Sequence, residues 1–205
     1  MLIELHAHTA EHSACSIIDA RTLLREALQR GVDALILTDH HYCWPAVELE
    51  RLRASLPLPP GFLLLSGQEV TTLDRGDFLV FGPTTPLPFG ITLNELRDTA
   101  PDAALVWAHP FRWGEIPVAS DFHDPRIDAV EIVNGNQTGN ENMRGVDAWM
   151  RYRFTATAGS DSHSPGRVGR FTTQFDDRIT SLHHLVTAIR GGRCRPAPGC
   201  IPPLS

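Results

Sequence analysis

Two histidines stand one residue apart just past the chain's first apolar run, in Leu2-Ile3-Glu4-Leu5-His6-Ala7-His8, and the pattern recurs. Asp39-His40-His41 follows Leu35-Ile36-Leu37, and Glu69 follows Phe62-Leu63-Leu64-Leu65. His109 follows Leu105-Val106-Trp107, and Gly159-Ser160-Asp161-Ser162-His163 follows Phe154 to Ala158. Asp, Ser and His are common wherever strands stop, so any one such ending is ordinary. Five of them point to a shared destination, because parallel strands arranged as a barrel gather their C-terminal ends on one face. A His-x-His step on extended chain puts both imidazoles on one side. Imidazole mixed with carboxylate suits zinc, manganese or iron, whereas thiolate-rich sets favour closed structural sites.

Alternation of strand and helix patterns gives the fold class. Strands are expected near 2–6, 33–38, 62–66, 77–82, 103–108, 127–133 and 154–158. Helices are expected at Asp19–Leu28, Ala46–Leu56, Thr92–Thr99, Glu141–Arg151 and Thr180–Arg190, with Pro45 and Pro57 bracketing the second. Such alternation argues for an α/β fold with parallel strands. Phe78-Leu79-Val80-Phe81 follows Glu69 too closely for a helical crossover, so a hairpin is expected there. One domain over 1–195 accounts for the pattern, with 196–205 a proline-rich C-terminal tail.

The 205 residues suffice for a proper core. No apolar run approaches the roughly 20 residues that span a bilayer, and the strand at Leu2 leaves no room for a signal segment, so a cytoplasmic location is expected. Cys15, Cys43, Cys194 and Cys200 lack Cys-x-x-Cys spacing; Cys194 and Cys200 could pair, but in a reducing compartment free thiols are expected. A net charge of −6 argues against binding nucleic acid through bulk electrostatics. All 18 basic residues are arginine. The lack of lysine excludes a Schiff-base mechanism, a P-loop lysine and a carboxylated lysine bridging two metals.

His6-Ala7-His8-Thr9, Thr38-Asp39-His40, Gly67-Gln68-Glu69, Ala108-His109-Pro110 and Gly159-Ser160-Asp161-Ser162-His163 occur in the order typical of the PHP (polymerase and histidinol phosphatase) superfamily. The chain resembles that superfamily over nearly its whole length. The resemblance implies a distorted seven-stranded (βα) barrel, related to the TIM barrel, and two or three divalent transition-metal ions that hydrolyse phosphoesters. It implies that His6, His8, Glu69 and Asp161 surround one ion. Glu69 would bridge to a second held by His109, and His40 and His163 would belong to a third. The chain departs from the pattern twice. Cys15, with His12 nearby, stands where many relatives complete the third site, and Asp77 stands where many have a histidine.

The expected chemistry is in-line attack on phosphorus by a metal-bridging hydroxide, since a bound metal lowers the pKa of its water to about 7. Glu69, Asp161, His163 and His40 are the expected catalytic set, with His163 or His40 nearest to protonate the leaving group if free of metal. Arginine forks suit phosphate. Arg112, just past His109, is the first choice; Arg167 and Arg170 are as readily surface residues, and Arg144 more so. Glu131 and Asn134 either orient ligands or cap a turn. His41, Cys43, His123, His183 and His184 read as structural or exposed, and Trp107 and Trp113 as wall or as a stacking surface. The expected partner is a small phosphorylated substrate such as a nucleotide, sugar phosphate or amino-alcohol phosphate. Nucleic acid would enter only as a substrate end, and no obligate protein partner is inferred. The competing readings are a nuclease acting on oligonucleotide ends, a metal-dependent amidohydrolase, and a degenerate non-catalytic metal-binding barrel.

Overall fold

The computed structural model describes residues 1–201; residues 202–205 of the expected tail lie outside the described residues. Among the described residues there are ten strands: β1 Leu2–Glu4, β2 Ala34–Leu37, β3 Leu63–Ser66, β4 Gln68–Thr72, β5 Gly76–Phe81, β6 Ala104–Trp107, β7 Ala129–Asn134, β8 Ala156–Gly159, β9 Thr173–Phe175 and β10 Cys194–Pro196. Five α-helices join them: α1 Ala20–Gln29, α2 Ala46–Ala54, α3 Leu93–Thr99, α4 Gly139–Tyr152 and α5 Leu182–Arg190.

Helix starts follow side-chain chemistry. Asp19 accepts the Thr22 N–H at 2.9 Å, and Thr92 with Glu95 and Thr138 with Glu141 form reciprocal capping boxes. Pro45 opens α2 without a side-chain cap, its fixed φ of −60° suiting a helix start.

The strands form two five-stranded sheets, ordered β10-β9-β1-β2-β3 and β4-β5-β6-β7-β8. The expected seven-stranded closed barrel is therefore corrected to two mixed sheets, within the expected α/β class. The reason lies at β1. Its one edge pairs with β2 in parallel, and its other edge is taken by antiparallel β9, with Leu2 opposite Gln174. That leaves β8 no edge to pair with along β1, and only an isolated bridge, Ala7 to Ser162, joins the sheets there. At the other seam the chain crosses from β3 to β4 at Gly67, and a single bridge, His40 to Glu69, links the sheets.

The two sheets share one core. Ile3, Leu5, Ala34 and Ile36 from the first meet Leu79, Phe81, Ala104, Val106 and Ala129 from the second, and α5 contributes Leu185, Ala188 and Ile189. Helices α1 and α2 cover the outer face of the first sheet, and α3 and α4 that of the second. With helices on the outside and apolar contacts between the sheets, the parallel strands β1, β2, β6, β7 and β8 are held by packing on both faces. Part of the expected tail is also packed: Pro196 ends β10, and Ala197 and Cys200 are buried.

Candidate metal centre

The polar residues lie just past strand ends, where backbone turns aim them inward. His6 and His8 follow β1, Asp39 and His40 follow β2, His109 follows β6, and Asp161 and His163 follow β8. His109 and Asp161 have φ of +34° and +47°, the left-handed region that side chains rarely adopt. Such conformations persist only where the surroundings impose them, and they gather at functional sites. Glu69 differs from expectation, since it lies within β4, opposite Leu79 of β5, rather than after a strand.

Four buried donor atoms converge. His6 Nε2 lies 3.0 Å from His8 Nε2, 3.3 Å from Glu69 Oε2 and 3.3 Å from Asp161 Oδ1. His8 Nε2 lies 3.1 and 3.3 Å from the same two oxygens. Ligands at 2.0–2.1 Å in a tetrahedron stand about 3.3 Å apart, and the three edges among His6, His8 and Asp161, which form one group able to hold an ion, match that spacing. The nitrogen and oxygen donor set suits zinc, manganese or iron. Glu69 Oε1 faces His109 Nε2 at 3.1 Å, and Asp77 Oδ2 lies 3.9 Å from that nitrogen. Glu69, Asp77 and His109 form a second group able to hold an ion; His8, His40 and His163 form a third.

The electrostatics of the donors suit a cation. Burial alone would raise Glu69 and Asp161, but the charge on His6 and hydrogen bonds from neighbouring imidazoles hold both carboxyls well below their usual range. Burial would lower His6, yet Asp161, Glu131 and Glu69 raise it well above its ordinary value, and His8 is raised to about 9. Protons on imidazole thus do what a metal would do, balancing buried negative charge. His40 and His163 go the other way, lowered by burial and by the charge on the cluster's imidazoles. Near neutrality they offer lone pairs, which suits ligation better than proton donation.

Further partners fix the donors. Glu131, fully buried, accepts from His6 Nδ1 at 3.0 Å, from the His109 N–H and from Asn134 Nδ2, so it orients His6. Asn134 Oδ1 in turn accepts from Arg112 Nη2, which also pairs with Asp161 Oδ2. Glu4 and Ser13 carried no functional reading in the sequence. Glu4 accepts the N–H groups of His6, Ser160 and Gly169, tying β1 to the segment that carries Asp161. A carboxylate inside an apolar run was the available signal for Glu4; Ser13, in a polar loop, gave none.

Other expected residues are placed elsewhere. Cys15 is exposed, and His12 stacks on Tyr42 with its Nε2 3.5 Å from Glu48; among the described residues neither joins a donor group. Arg167 is exposed and donates to the Gly135 carbonyl, and Arg170 lies over Phe171. All four cysteines are free thiols. His41 accepts the Thr71 N–H and stacks on Phe89, and His123 and His183 are exposed. A cleft of about 490 Å³ opens beside the cluster, lined by Asp77, His109, Arg112, Trp107, Trp113 and Glu115 among others. Among the described residues no helix is long and apolar enough to cross a membrane.

A family model described as PHP-associated matches residues 139–194. No curated protein sequence matches the chain. The fold is similar to that of PsfC from Pseudomonas syringae, with a TM-score of 0.71 and 18% identity over 96% of this chain and 90% of that one. It is similar to the lesion-specific endonuclease Q of Pyrococcus furiosus, with a TM-score of 0.65 and 21% identity over 95% of this chain and 57% of that one. It also resembles a protein from Bifidobacterium adolescentis assigned as a metal-dependent phosphoesterase, with a TM-score of 0.60 and 14% identity over 91% and 95% of the two chains. The PHP-associated match over residues 139–194 and the shared fold are consistent with the motif order that resembles the PHP superfamily.

Proposed function

We propose that this chain is a metal-dependent hydrolase of small phosphate monoesters. His6, His8, Glu69 and Asp161 hold one divalent cation, Glu69, His109 and Asp77 a second, and His40 and His163 belong to a third. The observation that carries the reading is the buried convergence of His6, His8 and Asp161, with Glu69 Oε2 within 3.3 Å of both imidazoles, adjoining a cleft at His109 and Asp77. Bound divalent cations would supply Lewis acidity toward the phosphoryl oxygens and a nucleophilic water at neutral pH.

The protein's own part is positioning. Glu131 keeps a proton on His6 Nδ1, so that Nε2 faces the donor set. Arg112 makes both of its hydrogen bonds through Nη2 and its Nε is buried, which leaves Nη1 for one phosphate oxygen. The cleft itself favours a small substrate over a polyanion. Asp74, Asp77, Glu115 and Asp121 line it, and its arginines, Arg75 and Arg112, are already paired with Asp121 and Asp161.

Assay against a panel of phosphomonoesters with manganese, zinc or iron tests the reading. Turnover by the wild type and loss to background in Asp161→Asn, with an unchanged melting temperature, is expected. An equally active Asp161→Asn protein would overturn it. The second reading, a nuclease acting on oligonucleotide ends, is supported by the fold likeness to endonuclease Q, and a labelled oligonucleotide in the same panel separates the two.

A further inference from the structure

His6 and His8 present the same nitrogen to the donor set, but what fixes them differs. His6 Nδ1 faces a carboxylate, Glu131, which can only accept. His8 Nδ1 faces a hydroxyl, Ser13 Oγ, at 3.3 Å, and a hydroxyl can either donate or accept. On its own that contact leaves the tautomer of His8 open.

The surroundings of Ser13 close it. Ser13 Oγ lies 2.6 Å from Asp39 Oδ1, its shortest contact. Asp39 is fully buried, and each of its oxygens meets one donor that has no alternative role. The Thr9 N–H reaches Oδ1 at 2.7 Å, and Trp44 Nε1–H reaches Oδ2 at 2.7 Å. Thr9 Oγ1 adds a hydroxyl to Oδ2 at 2.9 Å. A group so surrounded by donors is held as an acceptor, so the single proton of Ser13 goes to Asp39. Ser13 Oγ then has only lone pairs left. One takes the His40 N–H at 3.2 Å, and the other faces His8 Nδ1, which must bring the hydrogen.

We propose that Ser13 is a positioning residue which, with its hydroxyl proton committed to Asp39, holds His8 with a hydrogen on Nδ1 and the lone pair of Nε2 aimed between Glu69 and Asp161. The same hydroxyl fixes the backbone at His40, so one atom sets a ligand of the first group and the approach of a ligand of the third. The inference rests on the metal-centre reading above, and it extends it to a residue seven positions past the first histidine and carried by a loop rather than a strand. Carboxylate orients His6 and hydroxyl orients His8, so the two imidazoles differ in basicity although they share the donor set.

The test uses zinc-loaded protein at neutral pH. Zinc affinity is measured by chelator competition, and the ring N–H protons are followed by nitrogen-edited NMR, with His8 assigned through its loss in His8→Gln. The wild type should show slowly exchanging Nδ1–H signals from both His6 and His8. In Ser13→Ala the His8 signal should broaden or vanish while that of His6 persists, which reports on Ser13 and not on general unfolding. The zinc dissociation constant should rise about 10- to 100-fold. Ser13→Thr, which keeps the hydroxyl, should restore both readouts. Equal zinc affinity in the wild type and Ser13→Ala, or an unchanged His8 signal, would overturn the inference and leave the metal centre standing. A wild type that binds no zinc, manganese or iron would overturn both.

Discussion

His6 and Glu131 meet at 3.0 Å, Nδ1 to Oε1, with both side chains fully buried. A carboxylate behind an imidazole fixes the tautomer and strengthens the opposite nitrogen as a ligand. Glu131→Gln keeps the shape and removes the charge. Its expected effect is a 10- to 100-fold weaker affinity for zinc or manganese, typical for loss of a partner behind a ligand. Isothermal titration of the variant beside the wild type is the check, and equal affinities would show that Glu131 is only structural.

Metal binding should release protons. The carboxylates Glu69 and Asp161 raise His6 well above its ordinary value and His8 to about 9, so both carry protons at pH 7 when no cation is bound. A metal must displace those on the coordinating nitrogens. Calorimetric titration at pH 7 in buffers of different ionisation enthalpy should report about one to two protons released per chain. The number should fall as pH is raised past 9, where His8 has already lost its proton. A buffer-independent enthalpy at pH 7 would contradict the charge balance described for the site.

Gly159 packs tightly against the donor set. A Cβ built there would lie 2.5 Å from the Cβ of His6 and 2.3 Å from Glu131 Oε1. Neither neighbour can retreat, since both are buried and His6 is held from two sides. Gly159→Ala should therefore cost about 1–3 kcal/mol, the range for overpacking a filled core. Urea denaturation measures this, and metal affinity should fall with stability because the displaced atoms belong to His6 and its partner. A variant with wild-type stability would mean that β8 and His6 are looser than they stand.

Cys194 gives an alkaline limit to stability. Burial pushes its thiol from 9.0 to about 12. A folded value above the unfolded one means that the fold favours the protonated thiol. That contribution is whole below pH 9 and is lost as pH rises toward 12. Between pH 9 and 11 the wild type should lose about 1.4 kcal/mol per pH unit from this group. Urea unfolding at pH 8, 9, 10 and 10.5 should show a shallower slope for Cys194→Ala, whatever that variant's stability at pH 8. Parallel slopes would place the alkaline sensitivity elsewhere.

Much of this was legible in the chain. The seven expected apolar runs and five helical stretches all correspond to elements, because capping residues and prolines mark their limits: Thr92 with Glu95 opens α3, and Pro45 opens α2. The three unread strands, β4, β9 and β10, are short or irregular in composition. Gln68–Thr72 begins one residue after β3 and reads as its continuation, and Cys194–Pro196 ends in a proline, which a sheet tolerates at its edge. Closure failed as an expectation because pairing between sequence-distant strands leaves no local trace: nothing near Leu2 announces that Gln174 will lie beside it. The donor residues were legible because their types and order carry chemistry. What aims them was less so. Glu131, with Asn134, was read as orienting ligands only slightly ahead of capping a turn, and Ser13 and Glu4 act through contacts with residues as far as 165 positions away in sequence.

Each seam between the two sheets is a single backbone bridge, and both bridges fall among the donor residues: His40 with Glu69 at one, and Ala7, between His6 and His8, with Ser162, between Asp161 and His163, at the other. The donors at these seams come from both sheets, so a cation held by His6, His8 and Glu69 or Asp161 would tie the two halves together across their junction. Loading the site and stiffening the protein are then a single event.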